Sequence, residues 1–331
     1  MIELKNVCKS YGLTKALKDV SFSVKKGEII GFVGPNGAGK STAMKIITTF
    51  TAPTSGTVSV GGYNVMSDPL KVRELIGYLP ERVPLYSDML VREYLEFIGE
   101  ARHLNGRFKT RFDWVVDACG LESVLERKID VLSKGYKQRT CLAQALIHDP
   151  EVLILDEPTS GLDPLQIIGI RNLVKNLAHD KTIILSTHIL PEVSTVADRI
   201  LVINDGQIVA DGSFGNLIKT VTDLSVIYLA VQCAKKEFQT ALSDVGDIES
   251  IEIDSATPRG ITGAHLYHAP DRDILPVLNK IIRKNNWLVV ELVPERLSLE
   301  ESFIRLTQSH AKTTQKSKKL EVTGPREGGA A

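Results

Sequence analysis

The sequence lacks any excess of charge of one sign. Its 331 residues include 40 Lys and Arg against 40 Asp and Glu, so the formal net charge is zero. A neutral chain has no overall field that would hold nucleic acid or an anionic bilayer, and any such partner would need a local patch. The charge balance therefore predicts no direct nucleic-acid partner.

Long apolar runs are missing too. Runs such as 152–155 and 200–203 have the length of a strand, whereas a membrane-spanning helix needs about 20 apolar residues. The first residues, MIELKNVCKSYG, alternate apolar and polar and do not show the basic, apolar and small segments of a signal peptide. We therefore expect a cytosolic chain that does not cross a bilayer.

Cysteine is scarce, with four residues in the whole chain. They lie far apart and form no C-x-x-C pair, the spacing typical of zinc ligands and redox motifs. This pattern disfavours disulfides and zinc sites. We expect reduced, buried thiols at Cys8, Cys119, Cys141 and Cys233.

The composition that remains is globular, with 43% apolar and 24% charged residues and a mean hydropathy of zero. It excludes a disordered chain, a collagen and a coiled coil, and the length predicts two domains. Two strands at 2–7 and 17–24 predict a hairpin-like start. Strand and helix patterns then alternate, which predicts an α/β core with a mostly parallel sheet.

The segment GPNGAGKST matches the phosphate-binding loop pattern G-x-x-x-x-G-K-[ST]. It follows a predicted buried strand at 28–33 and precedes a stretch at 40–50 with helical spacing. In such a loop the backbone N–H groups cradle phosphate, Lys40 reaches the β and γ phosphates, and Ser41 binds Mg²⁺. A plain glycine turn before a helix is the alternative. The predicted phosphate-binding residues are Gly34, Pro35, Asn36, Gly37, Ala38, Gly39, Lys40, Ser41 and Thr42.

Two adjacent acids, Asp156 and Glu157, end the apolar run VLIL. This places them at the carboxyl edge of the predicted sheet, where ligands of α/β proteins bind. Asp156 would belong to the magnesium shell, and Glu157 could accept a proton from an attacking water as general base. The alternative is a pair of solvated acids that opens a turn.

With these motifs on one chain, the sequence resembles the ATP-binding cassette (ABC) ATPases over roughly residues 1–220. The resemblance implies a P-loop NTPase cassette of mostly parallel sheet, with an antiparallel N-terminal β subdomain and a helical subdomain at about 85–150. Five further elements stand in the family's order: Tyr11, IGYLPE at 76–81, LSKGYKQR at 132–139, SGLD at 160–163, and His188.

The resemblance also implies roles for these residues and a head-to-tail homodimer that sandwiches two ATP molecules. Tyr11 would stack on adenine, although a tyrosine that only covers the core is the alternative. Ser133 and Gly135 would bind the γ-phosphate held by the opposite subunit, and Asp163 would lie at the dimer seam. His188 would contact the γ-phosphate and support Glu157, where a lone histidine is otherwise usually structural.

Three positions in two motifs, Glu81, Lys134 and Tyr136, depart from the family's consensus. Glu81 stands where most members have glutamine; as an anion it could still bind Mg²⁺ together with Ser41 and Asp156. The family's Leu-Ser-Gly-Gly-Gln reads Leu-Ser-Lys-Gly-Tyr here, so Lys134 adds a positive charge near the phosphate.

After about residue 220 the pattern strand, helix, strand, strand, helix, strand predicts a small α+β domain of ferredoxin-like type at 221–308. Its second helix is predicted at 271–285 and an amphipathic helix at 299–306. Residues 309–331 have little to bury and predict a disordered tail. The segments PERVPLYSDMLVREYLEF and LSKGYKQR resemble one ABC subgroup, the ATPases of gliding-motility and multidrug ABC-2-type exporters. The small domain, which ends in LSLEESFIRLTQ, also resembles the accessory domain of that subgroup.

The subgroup implies an ATP-hydrolysing subunit on the cytoplasmic face of the inner membrane that powers a permease encoded as a separate chain. Contact with that permease is expected at a groove near residues 78–94. A soluble ABC protein that clamps ribosomes or DNA is one alternative, and a nucleotide-gated regulatory binder without turnover is another.

Overall fold

The computed structural model describes residues 1–295 except positions 83, 179, 222–224, 244, 255, 256, 259, 270 and 271. The predicted helix at 299–306 and the predicted tail at 309–331 lie outside the described residues. The chain divides into two compact units, of which the first ends at Phe214 and the second begins at Gly215.

The first unit alternates strands and helices along its whole length. Its elements in chain order are β1 (Ile2–Tyr11), β2 (Thr14–Val24), β3 (Ile29–Val33), α1 (Lys40–Ile47), β4 (Ser55–Val60), β5 (Tyr63–Asn64), α2 (Pro69–Leu75), β6 (Ile76–Leu79), α3 (Val91–Ala101), α4 (Phe108–Cys119), α5 (Lys134–Leu146), β7 (Val152–Asp156), α6 (Pro164–Leu177), β8 (Thr182–Thr187), α7 (Leu190–Val193), β9 (Arg199–Asn204) and β10 (Gln207–Gly212).

Two sheets organise this unit. An antiparallel sheet has the order β2-β1-β4-β5, which confirms the hairpin-like start, and a six-stranded sheet has the order β10-β9-β3-β8-β7-β6. In the second sheet every pairing is parallel except β10 with β9. Every residue of β3, β7 and β8 is buried, as their continuous apolar runs predict. The predicted α/β cassette fold is confirmed.

The parallel register of the central strands positions the functional residues. Val33 at the end of β3 pairs with Thr187 at the end of β8, and Ser186 pairs with Asp156 at the end of β7. Since carboxyl ends of parallel strands meet at one edge, the residues that follow each strand are gathered there.

The second unit has the predicted ferredoxin-like order. Helix α8 (Phe214–Val221) spans the boundary between the units, and the elements that follow are β11 (Ser225–Gln232), α9 (Lys235–Ser243), β12 (Ile248–Ile253), β13 (Thr262–His268), α10 (Leu275–Lys284) and β14 (Leu288–Glu295). The sheet runs β12-β13-β11-β14 with antiparallel neighbours, and the core forms between this sheet and side chains such as Phe238, Leu278 and Trp287.

Several details differ from the sequence predictions. Helix α10 starts later than predicted, with Pro276 in its first turn, where a residue without an N–H is tolerated. The short elements β5, α2, α7 and α8 were not predicted, because runs this brief carry little periodicity. No helix in the described ranges combines the length and the apolar composition that crossing a membrane requires.

The cysteine prediction is correct in part. All four thiols are free, but Cys8 and Cys233 are only half-buried, whereas Cys119 and Cys141 are buried. Burial raises the pKa of Cys119 and of Cys141 to about 12, so both thiols remain protonated and unreactive near neutral pH.

The packing of α5 on β6 depends on a glycine. A Cβ at Gly77 would lie 2.2 Å from the carbonyl oxygen of Ala145, a backbone atom that cannot rotate away. We expect Gly77→Ala to lower the free energy of unfolding by about 1–3 kcal/mol, measured by urea denaturation. The matched control is Gly106→Ala, whose Cβ would meet nothing within 4 Å and should change stability by less than about 0.5 kcal/mol. Equal midpoints for the two variants would contradict this account.

Candidate functional site

The glycine loop between β3 and α1 exposes backbone N–H groups towards one open space. Gly37 and Gly39 have φ of 81° and 111°, conformations that side chains disfavour. A Cβ at Gly39 would lie 2.7 Å from the carbonyl oxygen of Ala16, whereas a Cβ at Gly37 would meet nothing within 4 Å. The first N–H groups of α1, which begins at Lys40, have no intrahelical acceptor. The loop and helix end thus form a concave surface suited to an anion.

Lys40 is buried at the base of this surface. Its Nζ donates to the carbonyl oxygens of Gly34 (2.8 Å) and Pro35 (3.3 Å) and lies 3.4 Å from Oε1 of Glu157. A buried ammonium requires such partners, since an unpaired charge away from water is costly. The same contacts hold the Lys40 ammonium beside the loop, where it lines the cavity.

Asp156 and Glu157 occupy different environments although they are neighbours in sequence. Asp156 is buried and its carboxylate accepts a hydrogen bond from the Ser186 hydroxyl on β8. Burial, with a smaller contribution from Asp156, raises the pKa of Tyr78 well above its usual range. The two acids therefore have different neighbours.

Glu157 has a left-handed backbone, with φ of 50°, which is unusual for a residue other than glycine. Its N–H still donates to the carbonyl oxygen of Ser186 on β8 (3.0 Å), and the turn that follows β7 begins at this residue. His188 Nδ1 lies 2.9 Å from Oε2 and 3.1 Å from Oε1 of Glu157. Backbone strain of this kind costs about 1–3 kcal/mol and is typical of functional sites. In this conformation the Glu157 carboxylate contacts His188.

These groups share one cavity of about 350 Å³. Predicted site residues from the loop, the Glu81 segment and both strand ends line it, and Ala16 and Ser160 join them. Gly34, Pro35, Ala38 and Asp156 support the cavity without lining it, and Tyr11, Ser133, Gly135 and Asp163 lie elsewhere on the chain. The lining residues are Ala16, Asn36, Gly37, Gly39, Lys40, Ser41, Thr42, Glu81, Glu157, Ser160 and His188.

Ser133 and Asp163 each cap a helix. The Ser133 hydroxyl accepts from the N–H of Tyr136 (3.4 Å) at the start of α5, and Oδ1 of Asp163 accepts from the N–H of Gln166 (2.9 Å) at the start of α6. The two helix starts touch, because a Cβ at Gly135 would lie 2.6 Å from the side chain of Gln166.

Tyr11 is 49% exposed, and Nζ of Lys9 lies 5.0 Å from its ring centroid. An exposed ring is compatible with stacking on a flat ligand and does not match a side chain that only covers the core.

Sequence reasoning missed several polar residues next to this site. Ser186 and Thr187 end the buried strand β8, and polar residues at the end of an otherwise apolar strand were a signal that could have marked them. Glu192 on the short helix α7 is buried and accepts hydrogen bonds from Thr159 and Thr187. No motif pointed to it.

Known proteins resemble the chain over most of its length. The family model described as ABC transporter matches residues 17–160. The linearmycin resistance ATP-binding protein of Bacillus subtilis (strain 168) is 35% identical over 76% of this chain and 82% of that protein. The bacitracin transport ATP-binding protein of Bacillus licheniformis is 31% identical over 92% of this chain and 97% of that protein.

Solved structures agree. An ATP-binding subunit of an ABC transporter aligns with a TM-score of 0.62 and 30% identity, over 67% of this chain and 93% of that chain. A dimeric ATP-binding cassette in a post-hydrolysis state, bound to ADP and Pi, aligns with a TM-score of 0.59 and 28% identity, over 64% of this chain and 98% of that chain. The family resemblance read from the motifs is confirmed, and the chain belongs to the ATP-binding subunits of ABC transporters, which are ATPases.

Proposed function

We propose that this ATPase subunit powers an exporter whose permease is a separate chain, and that it works as a homodimer that closes on two ATP molecules. One observation carries the proposal: the phosphate-binding loop, Glu157 and His188 line a single cavity. The names of the relatives, one for bacitracin transport and one for linearmycin resistance, support export of small antibiotics more than the alternative of a clamp on ribosomes or DNA.

Hydrolysis would use groups that already lie at the cavity. Backbone N–H groups of the loop and of the start of α1 would bind the phosphates, and Lys40 would exchange its loop carbonyls for the β and γ phosphates. The Glu157 carboxylate accepts the proton of the water that attacks the γ-phosphorus, as the bond to the ADP oxygen breaks. His188 orients Glu157 through its 2.9 Å contact and lies within the same cavity to contact the γ-phosphate.

The oxygen donors around the cavity fit a magnesium ion that is held jointly with nucleotide. The described residues contain no cluster of three or more acids, histidines or cysteines that could hold a metal ion alone. Mg²⁺ typically uses one or two carboxylates, substrate phosphates and water, so we assign it to Ser41, Glu81 and Asp156. When bound, the ion would neutralise phosphate charge.

A second copy of the chain would complete the site. Ser133, Gly135 and Asp163 do not line the cavity of their own chain. In a head-to-tail homodimer the start of α5 would face the γ-phosphate of the opposite subunit, and the start of α6 would lie at the seam. Tyr11 would stack on adenine from its exposed position.

The permease would dock on the helical part of the first unit, at the groove near residues 78–94. Tyr86 is 55% exposed and Phe97 is 42% exposed, and the Tyr86 ring packs edge-on against both Phe97 and Tyr94. Exposed aromatic clusters of this kind are typical anchors for a partner helix. Docking there would hold the subunit peripherally at the cytoplasmic face of the inner membrane.

We assign residues 1–220 to the cassette and the described residues that follow, from 221 to 295, to an accessory domain. The division of the chain near Phe214 and the separate sheet of the second unit support this organisation. The accessory domain would serve as a binding or dimer-stabilising module.

Glu157→Gln tests the proposed chemistry. The amide cannot accept the proton, so we expect the steady-state rate of phosphate release to fall on the order of a hundredfold or more while ATP binding is retained. Glu151→Gln is the matched control, because Glu151 lies before the other end of β7 in an exposed ion pair with Lys26. Full activity of Glu157→Gln would refute this mechanism, and absence of turnover in the wild type would favour the regulatory binder.

Glu81→Gln tests the assigned metal shell. A neutral amide attracts Mg²⁺ less strongly than a carboxylate, so the magnesium concentration for half-maximal ATPase activity should rise several-fold. Glu74→Gln, in the preceding helix α2, serves as the control. An unchanged magnesium requirement in Glu81→Gln would remove Glu81 from the shell.

Replacement of Tyr86 and Phe97 by alanine tests the docking surface. Loss of buried aromatic anchors costs on the order of 2 kcal/mol each at an interface, so co-purification with permease-containing membranes should fail while ATPase activity in solution persists. The control is Leu288→Ala, an exposed apolar residue of the second unit. Membrane association that survives the double variant would place the docking surface elsewhere.

A further inference from the structure

A buried carboxylate beside the candidate catalytic pair belongs to none of the motifs described above. Glu192 lies on the four-residue helix α7 and is 8% exposed. Its Oε2 accepts hydrogen bonds from the hydroxyls of Thr159 (2.7 Å) and Thr187 (2.9 Å). A buried carboxylate that accepts hydrogen bonds from two hydroxyls holds both of them in place, because a hydroxyl that moved away would lose its hydrogen-bond partner.

The two hydroxyls belong to the two segments that carry the candidate catalytic groups. Thr159 lies two residues after Glu157 in the turn that leaves β7, and Thr187 immediately precedes His188 at the end of β8. Thr187 also accepts from the N–H of Ile189 through its hydroxyl oxygen (3.1 Å), which fixes the chain on the far side of the histidine.

The contact between Glu157 and His188 depends on how these two segments are placed. Glu157 sits in a left-handed conformation, which persists only where the surroundings enforce it. The N–H of Ser160 donates to the carbonyl oxygen of Glu157 (3.1 Å), so Thr159 lies within the turn that sets this conformation. Glu192 therefore ties the turn of Glu157 to the turn of His188.

We propose that Glu192 is a positioning residue for ATP hydrolysis: its carboxylate holds Thr159 and Thr187 together and thereby keeps Glu157 and His188 in contact. The inference rests on the proposed function of Glu157 and His188. Glu192 does not line the cavity, and it acts on the reaction only through these two residues.

The test compares steady-state ATP hydrolysis of the full chain with variants that keep or remove the acceptor. Glu192→Met fills a similar volume but has no hydrogen-bond acceptor. Without that acceptor the Glu157 carboxylate should shift, and a shift of about 1 Å should lower kcat on the order of a hundredfold. KM for ATP and the affinity for a nonhydrolysable ATP analogue should stay within twofold of wild type. Glu192→Gln retains an acceptor oxygen for both hydroxyls and should keep most of the activity.

Threonine variants guard against a Glu192→Met chain that does not fold. Thr159→Val and Thr187→Val each remove one hydroxyl and should each lower kcat with KM unchanged. Combining either threonine variant with Glu192→Met should cause no further loss of kcat, because the threonine and Glu192 act through the same hydrogen bond. Equal loss of nucleotide affinity and kcat in the single variants, or additive loss in the double variants, would overturn the proposal.

Glu157→Gln separates this inference from the proposed function. If Glu157→Gln abolishes turnover and Glu192→Met leaves kcat unchanged, the positioning role of Glu192 is wrong and the proposed function stands. If Glu157→Gln leaves turnover intact, the proposed function fails first, and the role of Glu192 fails with it.

Discussion

The parallel pairing of β3, β8 and β7 is the constraint on which the site depends. One register brings Val33 beside Thr187 and Ser186 beside Asp156. The residues that follow these strands come from distant parts of the chain, yet they meet because parallel strands end together. A shift of one residue in this register would turn the strand-end side chains to the opposite face and separate the phosphate loop from the carboxylates.

The charges buried at this edge lie beside one another. Nζ of Lys40 and Oε1 of Glu157 are 3.4 Å apart, so each charge offsets part of the cost of burying the other. Lys40 also donates to two carbonyl oxygens of its own loop, and Glu157 contacts His188.

Local patterns in the sequence predict most of the fold and part of the site. The apolar runs of β3, β7 and β8 marked central strands because each residue there is buried on both faces. The glycine loop could be predicted from the sequence because Gly37 and Gly39 have conformations that only glycine adopts readily. Glu192 could not be predicted, because its contacts come from two hydroxyls that are distant in sequence and because α7 is too short to show periodicity.

Contacts across the chain also decide how the starts of α5 and α6 are related. The family's consensus glycine at position 134 would leave a gap where Lys134 now lies, with its Nζ 2.1 Å from where a Cβ of Gly161 would be. Further along, Gly135 faces Gln166, and Gly169 faces Arg139, whose guanidinium also donates to the carbonyl oxygen of Cys119.

Each of these contacts places a long side chain against a glycine, whose missing Cβ leaves room for it. The SGLD segment begins directly after Thr159, which Glu192 holds to the histidine segment. Residues 159–163 therefore join the turn of Glu157 to the start of α6, which contacts the start of α5. In the proposed homodimer the start of α5 would face the nucleotide of the opposite subunit, so these residues would lie between the two ATP sites.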